Sequence, residues 1–190
     1  MITEFPVPFA SGGPVGITAG PDGNLWFTEM SGNKIGRVNL TPPPPPAVSV
    51  TANAESFRSN ELLDIDVTVT NLGAPVVIDA YFGVLLPSAA GPGLGCPGGD
   101  AVAFLTAGFS GVQITCLSAP PQSFQPLASN VTLPGGLPST ILTDFFTFTW
   151  TGAEPPGPYT FFLALTPAGA FADGQIDLLA VGQQTVTFVP

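Results

Sequence analysis

The sequence predicts an all-β protein with a β-sandwich domain over residues 47–190, a short β segment over residues 1–40, and a polyproline linker over residues 41–46. Three observations predict this fold. Apolar and polar residues alternate with a period of two in many short runs, turn-forming Gly and Pro clusters separate the runs, and helical periodicity is almost absent. The 45% hydrophobic content of this 190-residue chain is enough to bury a core.

The first 40 residues contain four short alternating runs, at residues 2–5, 16–19, 24–29 and 34–38. Turn sequences at residues 21–24 and 31–33 separate the later runs, because Pro presets φ while Gly and Asn tolerate positive φ. Asp22 is therefore expected to be a turn residue, and Glu29 a strand residue. Four short strands in about 40 residues are typical of one blade of a β-propeller.

Three phrases in this segment resemble the repeat of virginiamycin B lyase-type propellers: ITEFP at residues 2–6, GITAGPDGNLWFTE at residues 16–29 and GNKIGR at residues 32–37. The resemblance implies a blade that belongs to a ring of several blades. For the enzymes of this type it implies a magnesium-assisted lyase that uses a histidine. The chain has no histidine and no second copy of the repeat, so we do not expect it to carry that activity alone.

After the five prolines at residues 42–46, which favour a stiff polyproline II spacer, about eight strands are expected. The strand at residues 76–86 is apolar at nearly every position on one side and mostly apolar on the other. It is therefore predicted to be central and covered on both faces. A helical turn is predicted near residues 176–180. The predicted strands lie at residues 47–52, 63–70, 76–86, 101–105, 112–115, 146–150, 158–165 and 185–189.

The second part of the chain resembles an Ig-like domain found at the C-terminus of bacterial secreted and surface proteins. The phrases that carry this resemblance are DIDVTVTN at residues 64–71, DAYFGVLLP at residues 79–87 and PGPYTFFLAL at residues 156–165. The resemblance implies an Ig-like β-sandwich, an extracellular or cell-surface location, and a structural or adhesive role.

Charge excludes two classes of partner. Lys34, Arg37 and Arg58 are the three cations beside 13 acidic residues, and the formal net charge is -10. Nucleic acid and anionic membranes are not expected as partners, because both are recognised by clustered Lys and Arg. No apolar run reaches the roughly 20 residues that span a bilayer, so membrane insertion is not expected either.

Cys96 and Cys116 lie in a region rich in Gly and Pro. The secreted character of the chain favours a disulfide between them, and two buried free thiols are the alternative. Neither a CxxC motif nor a histidine accompanies them, so a structural zinc site is not predicted.

Catalytic and metal-binding chemistry finds little support in the sequence. Asp64 and Asp66 lie two apart on one predicted strand, so they are expected on its solvated face rather than as a catalytic pair. Asp173 and Asp177 flank a glycine, but calcium usually requires a denser acidic pattern. We therefore predict no enzymatic activity and no cofactor or metal.

Aromatic residues and one asparagine are the other candidates for ligand contact. Trp26, Phe27 and Trp150 could stack on a carbohydrate, but their places in regular strand patterns favour packing in a core. Asn130 fits the acceptor pattern for N-glycosylation, and Asn39 fits it less well because Pro42 follows the motif. Glycans are therefore counted among the candidate partners.

A lone blade has unpaired strand edges and uncovered apolar faces, which recruit other chains. The sequence therefore predicts an extracellular structural subunit that self-assembles into a filament or pilus-like fibre by intermolecular strand pairing of its N-terminal segment. The alternative is a cell-surface binding or adhesion module, for a carbohydrate or protein ligand, truncated from a larger propeller protein. The residues expected at the assembly contact are Ile2, Phe5, Val7, Phe9, Ile17, Leu25, Trp26 and Phe27.

Overall fold

The computed structural model describes residues 12–40 and 44–190, without the side chains of residues 172 and 173, and it divides the chain into two compact units, residues 1–43 and 44–190. The described residues form an all-β fold with five short 3₁₀ helices, at Ser88–Ala90, Pro92–Leu94, Ala107–Phe109, Pro121–Ser123 and Ala170–Asp173. The strands are β1 (Pro14–Ala19), β2 (Leu25–Glu29), β3 (Lys34–Val38), β4 (Ala47–Ala52), β5 (Ser56–Phe57), β6 (Leu62–Asn71), β7 (Val76–Leu85), β8 (Ala101–Leu105), β9 (Val112–Cys116), β10 (Ala128–Leu133), β11 (Leu137–Thr149), β12 (Gly157–Pro167) and β13 (Ala180–Phe188).

The N-terminal unit contains one antiparallel sheet with the strand order β1-β2-β3. Gly23, at φ +75°, and Asp22 form the turn between β1 and β2, where the Asp22 carboxylate accepts a hydrogen bond from the Asn24 N–H at 3.2 Å. Asp22 is thus a turn residue, as predicted. The strand predicted at residues 2–5 lies outside the described residues.

The second unit is a β-sandwich of two sheets. The larger sheet has the order β5-β13-β12-β7-β8-β9, with β10 paired to the first half of β7, and the smaller sheet has the order β11-β6-β4. All pairings are antiparallel except the short β5 to β13 pairing. β4 packs closely against β13 at Gly182, where a Cβ atom would lie 2.8 Å from the Val48 carbonyl oxygen, so only glycine fits there.

The main core lies between the two sheets, and the period-two pattern of β6 explains one side of it. Leu63, Ile65 and Val67 are fully buried, while the intervening residues of β6 face the other side of the sheet. Trp150, which follows β11 directly, is 1% exposed and stacks on Phe188 with ring centroids 4.8 Å apart. The prediction that Trp150 packs in a core is confirmed.

A second apolar cluster covers the outer face of the larger sheet. Because side chains alternate along β7, Phe82 enters the main core while Tyr81 faces the second cluster. There the ring of Tyr81 packs against that of Phe171 in a 3₁₀ helix, with the ring centroids 4.7 Å apart. The ring of Phe104 in β8 packs against that of Phe124, with the centroids 5.0 Å apart. The prediction that the strand at residues 76–86 is central and covered on both faces is confirmed.

Two local predictions about the second unit are wrong. The helical turn predicted near residues 176–180 is absent there, and a 3₁₀ helix instead spans Ala170–Asp173, between Gly169 and Gly174 at positive φ. β11 begins at Leu137, nine residues before the predicted strand at 146–150. Its pairing with β6 shifts register twice, so the alternation that marks a strand is interrupted.

Trp150 provides the first test of the core. We expect Trp150→Ala to lower the free energy of unfolding by about 3–5 kcal/mol, because it leaves a large cavity among packed rings. Trp150→Phe should cost much less, because a ring is kept and because the buried indole N–H has no hydrogen-bond partner within the described residues. Urea unfolding of both variants measures the difference. Equal losses for the two variants would contradict this account.

Candidate functional site

One side of the N-terminal sheet is apolar, and no other layer of the described residues covers it. Directly paired residues share a face of the sheet. Ile17 pairs with Phe27, Ala19 pairs with Leu25, and Leu25 also pairs with Val38, so these five residues lie together on one face. This group is called the apolar face below. Ile17 is 66% exposed and Val38 is 42% exposed, while Leu25 and Phe27 are half-buried. The Phe27 ring lies over Gly36, where any side chain would collide with it.

The opposite side of the same sheet is held by polar contacts around Trp26. The indole N–H of Trp26 donates to the Asp22 carboxylate at 2.9 Å, and the Arg37 guanidinium lies 5.7 Å from the ring centroid. The hydrogen bonds from the Asn24 side chain and then from Trp26 lower the pKa of Asp22 to about 2. These contacts hold the Trp26 side chain on this side of the sheet. It is half-buried there, rather than packed in a core as predicted.

The predicted assembly residues separate into three groups. Ile17, Leu25 and Phe27 come together on the apolar face, and Trp26 lies on the opposite face. The remaining four, Ile2, Phe5, Val7 and Phe9, lie outside the described residues.

A gap between the two sheets of the sandwich lies beside β11, the last strand of the smaller sheet. Leu142 pairs with Val67, so both side chains face the sandwich interior, yet Leu142 is 44% exposed while Val67 is fully buried. The gap has a volume of about 280 Å³ and is called the edge cleft below. Its described lining is apolar except for Thr140 and includes the core residues Ile78, Leu127, Leu133, Leu163 and Leu165.

A second concavity, called the aromatic groove below, lies on the outer face of the larger sheet and has a volume of about 190 Å³. Its exposed rim comprises Leu117, Ile176, Leu178 and Val181. The aromatic residues of its lining are Tyr81, Phe104, Phe124, Phe162 and Phe171. Burial, and then the charge of Asp79, raises the pKa of Tyr81, so its hydroxyl stays protonated and can donate a hydrogen bond to a ligand.

Cys96 and Cys116 form a disulfide with a Cα–Cα distance of 5.4 Å. The alternative of two free thiols is therefore wrong. Asp100 lies beside the two sulfur atoms, but these are bonded to each other, so the three residues do not offer three free metal ligands. Hydrogen bonds from Ser118, whose N–H is 2.8 Å from the carboxylate, lower the pKa of Asp100.

A third carboxyl group joins Asp64 and Asp66 on the smaller sheet. Asp144 lies in the second register shift of β11 at φ +50°, and its N–H donates to the Asp66 carboxylate at 3.0 Å. Burial raises the pKa of Asp64, and the neighbouring Asp144 carboxyl, which can accept the proton of Asp64, raises it further.

Asp64 and Asp66 lie half-buried on the face of β6 that points away from the core, as expected, but one oxygen of Asp64 is shielded from solvent. Its Oδ1 atom is inaccessible to solvent and has no hydrogen-bond partner within the described residues. Sequence reasoning did not find Asp144, because the register shift brings it next to Asp66 from 78 positions away along the chain.

The other candidate residues lie on the surface or outside the description. Asn130 is exposed at φ +56° in β10, and its N–H donates to the Asp79 carboxylate at 2.8 Å. Its glycosylation stays a prediction. Asp177 is exposed, and the side chain of Asp173 lies outside the description. Within residues 12–40 and 44–190, no helix has the length and apolar character needed to cross a membrane.

Comparison with curated proteins finds short partial matches. The chain is 57% identical over 37 residues to a virginiamycin B lyase of Saccharopolyspora erythraea, a match that covers 20% of this chain and 12% of that protein. It is 60% identical over 35 residues to a virginiamycin B lyase of Bacillus licheniformis, covering 18% of this chain and 12% of that protein. The chain thus spans about an eighth of the length of these relatives. No family model matches the chain.

Comparison with solved structures finds distant likeness. The CARDB domain of a Pyrococcus furiosus protein, solved in complex with di-metal ions, aligns at a TM-score of 0.40 and 18% identity, covering 80% of this chain and 95% of that one. A sporulation control protein of Bacillus subtilis aligns at a TM-score of 0.38 and 12% identity, covering 77% of this chain and 50% of that one. At these TM-scores the likeness carries no functional argument.

The disulfide gives a second test. We expect the double variant Cys96→Ser, Cys116→Ser to lose about 3 kcal/mol of unfolding free energy, because the unfolded chain regains the freedom of a loop of about 20 residues. Denaturant unfolding without reductant measures the loss. A reducing agent should destabilise the wild type similarly and leave the double variant unchanged, and an unchanged wild type would contradict the expectation.

The carboxyl cluster gives a third test, through Asp144→Asn. Because the folded state raises the pKa of Asp64, the protonated form stabilises the fold at low pH, and this contribution is lost as pH rises through the raised pKa. Removing the Asp144 charge should therefore make the variant more stable than the wild type near neutral pH. Asn also tolerates the positive φ at this position.

The gain from Asp144→Asn should shrink below the ordinary Asp pKa of about 3.9, where Asp64 is protonated in both the folded and the unfolded state. Urea unfolding at neutral and acid pH checks it. The exposed Asp177→Asn serves as the control and should show no such pH-dependent gain. A variant that is less stable than the wild type at neutral pH would refute the argument.

Proposed function

We propose that this protein is an extracellular structural subunit that self-assembles into a filament or pilus-like fibre through its N-terminal unit. The observation that carries the proposal is the apolar face, a group of five apolar side chains that the described sheet leaves uncovered. In this proposal the sandwich is a stable body with Ig-like character, and the blade-like unit is the adhesive element.

The energetics favour association. Covering an exposed residue such as Ile17 or Val38 contributes roughly 1.5–3 kcal/mol per fully buried side chain. Among the described residues, β1 and β3 are the end strands of the sheet, and another strand can pair with the backbone groups along their outer edges. A contact between unlike surfaces of two copies, repeated without closure, produces a fibre rather than a ring.

Two further observations support parts of the proposal. The disulfide favours an oxidising compartment and hence an extracellular location. The chain matches virginiamycin B lyases over 35 to 37 residues. The phrases that resemble the repeat of this type of propeller lie within residues 1–40, and propeller blades pack their faces against other blades. Glycans at Asn130, which is exposed, would be compatible with this surface role.

The second candidate function is a cell-surface binding or adhesion module that is part of a larger propeller protein. The aromatic groove favours it, because aromatic rings with a few hydrogen-bonding groups are typical of ligand sites. In that case the N-terminal unit is one blade of a ring in a longer chain. The mass of the native protein separates the two functions, because a longer chain with additional blades upstream would support the second.

The experiment on self-assembly compares two isoleucines on opposite faces of the same sheet. Ile17 is 66% exposed on the apolar face, and Ile35 is 70% exposed on the other side. We expect Ile17→Asp to convert assemblies into particles of the 19.3 kDa monomer, because a charge on the apolar face would have to be desolvated on contact. Light scattering after gel filtration, with electron microscopy, measures the size.

Ile35→Asp is the matched control and should assemble as the wild type does. A wild type that remains a monodisperse monomer at high concentration would overturn the proposal. Equal loss of assembly in both variants would show that the apolar face has no special role.

A further inference from the structure

The edge cleft is a place where no strand of the described residues covers the sandwich. Leu142 pairs with the fully buried Val67 in the same sheet and also faces the interior, but it is itself 44% exposed. Thr140, which pairs with Val69, is exposed as well. An inward-facing side chain at the end of a sheet stays exposed only where the facing layer does not reach over it. The main core is therefore open to the outside along the middle of β11.

The shape and chemistry of the edge cleft fit side chains rather than a polar ligand. Its volume of about 280 Å³ exceeds the ~150 Å³ of a cavity that holds benzene, so an aromatic ring and an aliphatic group fit together. No charged residue belongs to the described lining. An occupant would therefore be apolar, and it would extend the main core.

The backbone of β11 can hold such an occupant in place. β11 has 13 residues and pairs with β6 along one side, and it is the last strand in the order β11-β6-β4. Its other side has no strand partner within the described residues. An added strand there would receive main-chain hydrogen bonds from β11, and every second side chain of that strand would point into the edge cleft.

The start of this chain has the sequence that such a strand requires. Phe5, Val7 and Phe9 alternate with Pro6 and Pro8. In an extended strand the N–H groups of the three apolar residues point to one side, and the two prolines, which have no N–H, point to the other. The segment can therefore pair fully with one strand, and its prolines prevent the growth of the sheet beyond it. The same alternation places all three apolar side chains on one face.

We propose that residues 5–9 of a second copy add alongside β11 and insert Phe5, Val7 and Phe9 into the edge cleft. This proposal rests on the proposed self-assembly and names its acceptor, the sandwich of the neighbouring subunit. The inserted strand and the apolar face belong to one contact between two copies, and neither is sufficient without the other. A second copy is the occupant that yields a chain of subunits, because each molecule then gives one strand and receives one.

The experiment uses three variants of the full chain. The donor variant, Phe5→Ser with Phe9→Ser, removes two of the inserted rings. The acceptor variant, Leu142→Glu, places a charge in the edge cleft at a position that is already 44% exposed. The control, Ile141→Glu, alters the neighbouring residue of β11, which is 62% exposed and pairs with Thr68 on the outward side.

The first measurement is binding of a fluorescent peptide with the sequence of residues 1–11 to the donor variant, whose own segment does not compete. Adding Leu142→Glu to this protein should weaken peptide binding at least about tenfold, because a carboxylate would be buried against the inserted rings. Adding Ile141→Glu should change it by less than about twofold. Failure of the peptide to bind, or equal weakening by both substitutions, would overturn the proposal.

The second measurement is the mass of the assemblies. Donor and acceptor variants should each be monomeric alone, and a mixture should form dimers that grow no further, because one intact donor meets one intact acceptor. A wild type that assembles undiminished when it carries Leu142→Glu overturns this inference and leaves the proposed function standing. A monomeric wild type overturns the proposed function, and if the peptide still binds the donor variant, the edge cleft is filled by the chain's own segment.

Discussion

The rest of this structure depends on one constraint: the apolar faces of its β-sheets must be buried against another layer. A sheet with apolar side chains on one or both faces is stable in water only when another layer removes those side chains from solvent. The larger sheet of the sandwich meets this requirement on both faces, with the main core on one side and the Tyr81 cluster on the other. The three-stranded sheet of the N-terminal unit does not, since Ile17 and Val38 remain exposed.

The two units therefore differ in how far they complete their own packing. In the sandwich, the alternation of β6 and β12 supplies matching apolar rows, and Trp150 fills the end of the core against Phe188 and Tyr159. An opening into the main core is left at the edge cleft beside β11. The N-terminal unit has strand pairing and the Trp26, Asp22 and Arg37 contacts, but no second layer among the described residues. Both uncovered places are apolar, so the same physical force can act at both.

The sequence predicted the parts of the fold in which local pattern and burial agree. β6, β7 and β12 were predictable because their side chains alternate, or are apolar throughout, over eight or more residues. β10 and the first part of β11 were not, because both strands shift register and interrupt the period of two. In the candidate site, Ile17, Leu25 and Phe27 were predictable from alternation. Asp144 and the edge cleft depend on contacts between distant parts of the chain, which no local pattern records.

Charge determines which forces can act between copies of this chain. With 13 acidic residues and only Lys34, Arg37 and Arg58 to oppose them, two copies repel each other at long range and have few ion pairs to exchange. Attraction must then come from short-range contacts, namely apolar burial and backbone hydrogen bonds. Repulsion of this kind also disfavours disordered aggregation through the apolar face, because only a fitted contact gains enough burial to exceed it. A chain with few charged residues, an acidic net charge and exposed apolar sheet surfaces is thus suited to specific association rather than to non-specific adhesion.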